Sequence, residues 1–370
     1  MGHTINYAPL PSLDPSTHHW VGETLAHWLD EHAHTLDSSS TLANEVLPRL
    51  ADEQLFAIGV PAELGGVVGT TFADAVDSIS QVAAHSLTAA FVLWGQRTFV
   101  EYLLQTEHTD TSERYLAPVL QGSLAGATGL SNAIKFLGGI EELQVHSEQA
   151  GHDWVLNGRL PWVTNLRPNN YAVATALYAP NGTPAIAIID HQDHDQERST
   201  DLPLVALQGS NTAALAFHNL HLNPNERLLS LNAATFITHV RPRFLALQCA
   251  MTIGLSQRCL AQIIYHHRPV AVIRASALSY WEQLQTLRAH LLHGVAQDQF
   301  TTDSKALFRL RIKLAELAAK AVALEAGNEG GVSFIAGARA HTQRRQRESL
   351  FVPLVSPTVA QLQTAIADSL

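Results

Sequence analysis

The side chains able to do chemistry fall into a few groups. Twenty histidines raise the question of a metal: His191, Asp193, His194 and Asp195 crowd into HQDHDQE, and His18, His19, His266 and His267 form doublets. Adjacent ligands seldom point at one ion unless a second element contributes, so the run reads as a solvated loop with no metal. Cys249 and Cys259 stand without a neighbouring cysteine at a metal-binding spacing, which fits a reduced compartment. Nearer the end, AHTQRRQRESLF sets His341 beside Arg344, Arg345 and Arg347. An imidazole titrating at about 6.5 suits proton transfer, although a histidine among arginines is more simply a surface residue. The arginines either hold an anionic phosphate or form salt bridges across a subunit interface, and the salt-bridge reading is preferred. Glu325 and Glu329 flank a glycine group, Gly327, Gly330 and Gly331, and read as helix-end acids. A Gly-Gly pair lets backbone approach a phosphate closely.

Composition narrows the partners. The 370 residues carry 23 Lys+Arg against 33 Asp+Glu, a formal charge of -10 that opposes binding to nucleic acid. Such a length suggests two to three domains at about 150 residues each. No basic stretch followed by an apolar run opens the chain, and no run approaches the ~18 apolar residues of a membrane span. A soluble, cytoplasmic protein is expected.

The elements that must position these residues change character twice. Between Trp20 and Gln121 apolar residues recur three and four apart, as in amphipathic or buried helices, with PAELGGVVGT as a loop. After Gly122 the pattern becomes short apolar runs. WVLNGRLPWV and YAVATALYAPNGTPAIAIID each contain Asn-Gly, which predicts type I′ hairpin turns at Asn157-Gly158 and Asn181-Gly182. LAFHNLHL alternates at Leu215 and Phe217 and less regularly at Leu220 and Leu222, so this region reads as an antiparallel β domain. From about Arg241 helical spacing returns: Leu307, Leu310, Leu314, Leu317, Ala321 and Leu324 form one stripe, with Lys305, Arg309, Arg311, Lys313 and Lys320 around it. Pro242 and Pro269 mark expected ends or kinks. The boundaries expected are 1–121 for an N-terminal helical domain, 122–230 for a middle antiparallel, β-barrel-like domain and 231–370 for a C-terminal four-helix bundle.

This succession and four local motifs resemble the acyl-CoA dehydrogenase superfamily over nearly the whole chain. IGVPAELGG (58–66) is similar to the family's turn between N-terminal helices, and GATGLSN to its Leu-Thr-Glu-Pro segment. WVLNGRLPWVTN (154–165) resembles the hairpin ending in Trp-(Ile/Val)-Thr-Asn, and QGSNTAALAFHNLHLNP (208–224) the strand pair closing the β domain. The resemblance implies a flavin, FAD or alternatively FMN, touched by Leu130, Ser131, Trp162 and Thr164, with Gly330 and Gly331 near the cofactor's phosphates. An indole packs on the ring, and hydroxyl and N–H groups donate to its acceptors. It also implies a small-molecule substrate of the acyl thioester kind and assembly as a homodimer or homotetramer.

The chain departs from that family where the base belongs. Ser356 in VSPT stands where most members place Glu-Gly-Thr, and Pro242-Arg243 where others place a glutamate before an arginine. Nor does RPVAV from Arg268 supply the family's Arg-x-x-Phe-Gly, and Gly327 falls where a Gln helps to hold FAD. His341 is then the weak candidate for a base. Three functions compete: an acyl-CoA dehydrogenase-like oxidoreductase lacking the usual glutamate, a reduced-flavin-dependent monooxygenase on the same scaffold, and a non-catalytic scaffold or binding subunit. The monooxygenase needs no carboxylate to take an α-proton.

Overall fold

The structure is a computed structural model, described here for residues 18–137, 141–265 and 270–367. His266, His267, Arg268 and Pro269 lie outside the described residues. Five helices come first: α1 (Glu23–Ser38), α2 (Ala43–Asp52), α3 (Phe72–His85), α4 (Leu87–Gln105) and α5 (Thr109–Leu120). A sheet follows, with β1 (Ala125–Thr128), β2 (Val145–Ala150), β3 (Asp153–Val163), β4 (Tyr171–Tyr178), β5 (Pro184–Asp190), β6 (Gln196–Arg198), β7 (Ala213–Leu222) and β8 (Leu228–Ser230). Two short helices interrupt it, α6 (Ser131–Leu137) and α7 (Pro224–Arg227). Helices then resume: α8 (Ala233–Ile264), α9 (Ala271–Ala296), α10 (Gln299–Thr302), α11 (Ser304–Glu329), α12 (Ala340–Phe351) and α13 (Val359–Ala367).

Local chemistry sets the helix ends. Thr71 and Asp74 form a reciprocal capping box at α3. The Asn232 side chain accepts from Thr235 N–H at the start of α8, the Asp303 side chain accepts from Ala306 N–H at α11, and Gly330 closes α11. Pro242 ends nothing; it lies inside α8. Of the expected stripe, Leu307, Leu310, Leu314, Leu317 and Ala321 are buried and Leu324 is half-buried, but Arg311, one of the cations expected around it, is buried too.

The sheet runs β6-β7-β3-β2-β4-β5-β8, with β1 also on β4. It is mainly antiparallel, but β1 pairs with β4 in parallel, as does His146 of β2 with Tyr178. No tight turn joins those strands, so no hairpin dictates their sense. Asn157-Gly158 is not a turn, because β3 runs straight through it. Gly158 is required by close approach instead: at φ +143 an added Cβ would sit 2.1 Å from the Gln144 carbonyl oxygen. The Asn181-Gly182 turn does join β4 and β5, but only Gly182 has a positive φ, so it is not type I′. The uneven alternation in LAFHNLHL is a bulge. Leu156 faces Leu220 and Asn157 faces His218, leaving Asn219 extra, and its backbone N–H donates to the Asn157 side chain at 2.9 Å.

Helix α4 is buried from Leu87 to Leu103, as a helix apolar on most sides must be. It packs on β1 and on α8, and α3 packs on α8, so both helical parts share one core. Buried Gln96 joins α4 to the sheet. Its Nε2 donates to the Val119 and Leu124 carbonyls at 2.8 Å each, and its Oε1 accepts from Gly126 N–H at 2.7 Å and Asn165 Nδ2 at 2.8 Å. Gln96→Leu therefore strands several buried polar groups and is expected to cost about 3 kcal/mol in urea unfolding. A change under about 1 kcal/mol would show that the junction is not stabilised this way.

Candidate functional site

A cleft of about 410 Å³ opens where α4, the end of β3, the start of α6 and the segment after α12 meet. It gathers residues from distant parts of the sequence: Ser131, Trp162, Thr164 and Ser356 all line it. Trp162 is 46% exposed, on a strand whose next residue, Val163, is fully buried. It is therefore not a core aromatic. Thr164 is buried, and its hydroxyl is 3.2 Å from that of Thr212, which lies 2.8 Å from the Ser210 hydroxyl. Directly after it, Asn165 donates to Gln96 Oε1 and to the Gly126 carbonyl at 3.0 Å, so α4 and β1 fix this strand end.

Several lining residues carried no signal in the sequence. Phe91 and Trp94 form the inner wall from α4, with ring centroids 5.4 Å apart and nearly parallel planes. Phe351 meets Phe91 edge-on at 4.7 Å, and Phe244 of α8 backs Trp94 at 5.1 Å. Thr128 presents a hydroxyl 2.8 Å from that of buried Tyr102, whose pKa burial raises. On the outer side, Lys135 Nζ lies 3.3 Å from Glu141, which also accepts from Asn132 at 2.8 Å. Helical spacing could have suggested that Phe91 and Trp94 share a face, but not what they face.

Ser356 sits on a loop pinned from behind. Gln248 of α8 donates to its carbonyl at 2.7 Å, and Arg311 of α11 donates to the Val355 carbonyl at 2.8 Å. Pro242 is elsewhere, in a separate small cavity with Phe72, Arg243 and Phe300. Leu130 is buried between Gly129 and Ser131 and does not itself line the cleft. Gly330 and Gly331 lie apart from the cleft, with no atom within 4 Å of an added Cβ.

His341 and the arginines belong to an ionic core rather than to the cleft. Arg344 donates to Glu348 at 3.0 Å, Arg345 Nε to Glu325 at 2.9 Å, and Arg347 Nε to Asp37 at 3.1 Å. The bridges are thus within the chain, where a subunit interface or phosphate was expected. Glu325, one turn before the end of α11, is the buried partner of Arg345, whereas Glu329, the last residue of that helix, pairs with Arg339 at 2.6 Å. Arginine carried the signal, but its acidic partners lie up to 310 positions away. Burial, followed by Arg344 and Arg345, pushes His341 down to about 3. Among the described residues no group of histidine, cysteine and carboxylate side chains could hold a metal. Asp193 of HQDHDQE serves structure instead: with Asp190, just ahead of the run, it faces Arg227, Asp190 at 3.6 Å and Asp193 at 2.9 Å. Both cysteines are buried and unpaired, and burial pushes Cys249 up to about 12.

No protein-family model matches the chain. Among solved structures it resembles butyryl-CoA dehydrogenase from Megasphaera elsdenii, with a TM-score of 0.78 and 15% identity over 95% of this chain and 94% of that one. It resembles KijD3 in complex with FMN and a dTDP-linked amino sugar at a TM-score of 0.75 and 16% identity, over 93% and 91% of the two chains. The chain therefore shares the fold of these structures, with a helical part before and after a central sheet. In sequence the chain is similar to the Bacillus subtilis (strain 168) protein named Probable acyl-CoA dehydrogenase YngJ, with 24% identity over 211 residues, 52% of this chain. The match spans about half the length of that relative.

The low pKa of His341 has a measurable consequence. The unfolded imidazole takes up a proton at about 6.5 and the folded one only near 3, so stability is complete above about 6.5 and falls as pH drops toward 3. With part of the ring open to solvent, the loss between pH 7.5 and pH 5 is about 1 kcal/mol. Urea unfolding of His341→Gln should show a stability loss over that interval smaller by this amount. Equal losses in both proteins would show that His341 does not titrate this way.

Proposed function

We propose that the chain is a flavin-dependent oxidoreductase whose flavin ring lies in the cleft lined by Ser131, Trp162, Thr164 and Ser356. The observation that carries this is the meeting in one cavity of an exposed indole, hydroxyls from Ser131, Thr128 and Thr164, and an aromatic inner wall. A flat ring with polar edges fits such a site: the indole offers a stacking face, and hydroxyl groups offer donors to ring oxygens and nitrogens. A flavin bound there supplies two-electron chemistry, while the protein orients it and excludes water. The butyryl-CoA dehydrogenase and the FMN-bound KijD3 share the fold, which supports either FAD or FMN. FAD needs a grip on its far phosphates. Gly330 and Gly331 supply that grip only once a second copy is present, which also covers the exposed Phe334 beside them, 94% accessible in the single chain. A homodimer or homotetramer is part of this reading.

Oxidation of a small acyl thioester is the first chemistry proposed. Ser356 cannot take an α-proton without an activating base, and Pro242 lies outside the cleft, so the carboxylate available is Glu141, which lines it. A second reading, reduced-flavin-dependent monooxygenation, is favoured by Ser356 itself, since that chemistry requires no carboxylate at the loop. Glu141→Gln separates them: it should abolish anaerobic flavin reduction by short acyl-CoAs, whereas oxygen-dependent turnover would survive it.

Flavin binding is checked first. FAD or FMN, oxidised or dithionite-reduced, should raise the melting temperature with concentration. Trp162→Ala should weaken binding about tenfold. If neither flavin in either redox state stabilises the protein, the oxidoreductase reading fails and a scaffold or binding subunit takes its place.

A further inference from the structure

The loop carrying Ser356 rests on a buried cation. Arg311 is 3% exposed, and among the described residues no carboxylate acts on its charge. One guanidinium nitrogen, Nη2, donates to the Val355 carbonyl; Nη1 is buried and has no partner. Beside it, Gln248 donates to the Ser356 carbonyl while its own Oε1 is buried and unpartnered. Both residues also line a small void of about 10 Å³ with Leu87, Met251, Thr252 and Val355, room for about one water. The nearby Cys249 thiol is held neutral by burial, so it does not balance the charge. Burial moves the guanidinium down only to about 10, leaving it charged at neutral pH.

Charge inside a protein is weakly screened, so a buried cation acts on whatever the loop touches. The other lining charges, Lys135 and Glu141, offset each other as a pair. We propose that Arg311 is a positioning residue that sets the charge preference of the cleft: it holds the Val355–Ser356 backbone and favours an anionic ring over a neutral one. Resting on the flavin reading, this makes the preferred ligand the reduced flavin anion. Two electrons and one proton added to the neutral oxidised ring leave one negative charge, and that form gains from Arg311.

The test is the ratio of dissociation constants for oxidised and dithionite-reduced flavin, measured under anaerobic conditions at pH 7.5. Wild-type protein should favour the reduced form. Arg311→Met should lose that preference by on the order of tenfold, equivalent to lowering the midpoint potential of the two-electron couple by about 30 mV. Arg311→Lys, which keeps the charge, should retain most of it. Gln248→Glu places a carboxylate at the void that Arg311 also lines and should shift the ratio in the same direction as Arg311→Met, even if Arg311→Met does not fold. Equal weakening of both redox forms in Arg311→Met, or an unchanged ratio in Gln248→Glu, would overturn the proposal and reduce Arg311 to a loop anchor. Wild-type protein that binds neither form removes the flavin reading as well, a result distinct from binding without redox preference.

Discussion

The paired carboxamides of Gln96 and Asn165 are the constraint on which the cleft depends. A helix as buried as α4 has no water to satisfy a polar side chain, so Gln96 must spend all its hydrogen-bonding capacity on protein. It does so on three separate pieces of chain: the end of α5, the start of β1 and Asn165, two residues past the end of β3. Trp162 and Thr164 lie just before Asn165, while Phe91 and Trp94 lie just before Gln96. One polar junction therefore fixes the spacing between the two walls of the cleft.

The opposite wall is set by charge. Helix α12 buries Thr342, Arg344, Arg345 and Glu348 rather than a leucine stripe, and it can do so because each arginine finds a carboxylate. Truncating one member of such a pair leaves a buried charge uncompensated, at a typical cost of about 3–5 kcal/mol. The ionic core thus holds the helix that delivers Phe351, Val355 and Ser356 to the cleft, and Gln248 and Arg311 hold the loop beyond it. Apolar packing alone would leave the helix freer to slide, because leucine contacts have little directionality.

Element type was legible because the apolar period changes from helical to alternating and back. Specific turns were less so. Asn157-Gly158 has the composition of a hairpin turn, yet its glycine answers a steric demand from the Gln144 backbone on the neighbouring strand's approach, which no local pattern reports. Pro242 was read as a helix end or kink; α8 does not end there but continues through it, packed against α3, α4 and α11. Ser131, Trp162, Thr164 and Ser356 were legible only through motif resemblance, and they do share one cavity. The aromatic wall, the Lys135–Glu141 pair and the partners of the arginines were not, because each is a contact between elements rather than a property of either.

A shared backbone does not fix the chemistry. At 15–16% identity to solved structures of the same fold, what distinguishes this chain is the side chains that reach the cavity and the charge they bring. A carboxylate at the Ser356 position would place a negative charge against the cleft and would pair electrostatically with Arg311 behind it. With serine there, the same arginine is uncompensated, and the loop faces the cleft as a neutral surface backed by a cation. In the proposed reading Ser356 and the burial of Arg311 act together: the loop brings no carboxylate to the cleft, and the buried guanidinium behind it sets the sign of the field.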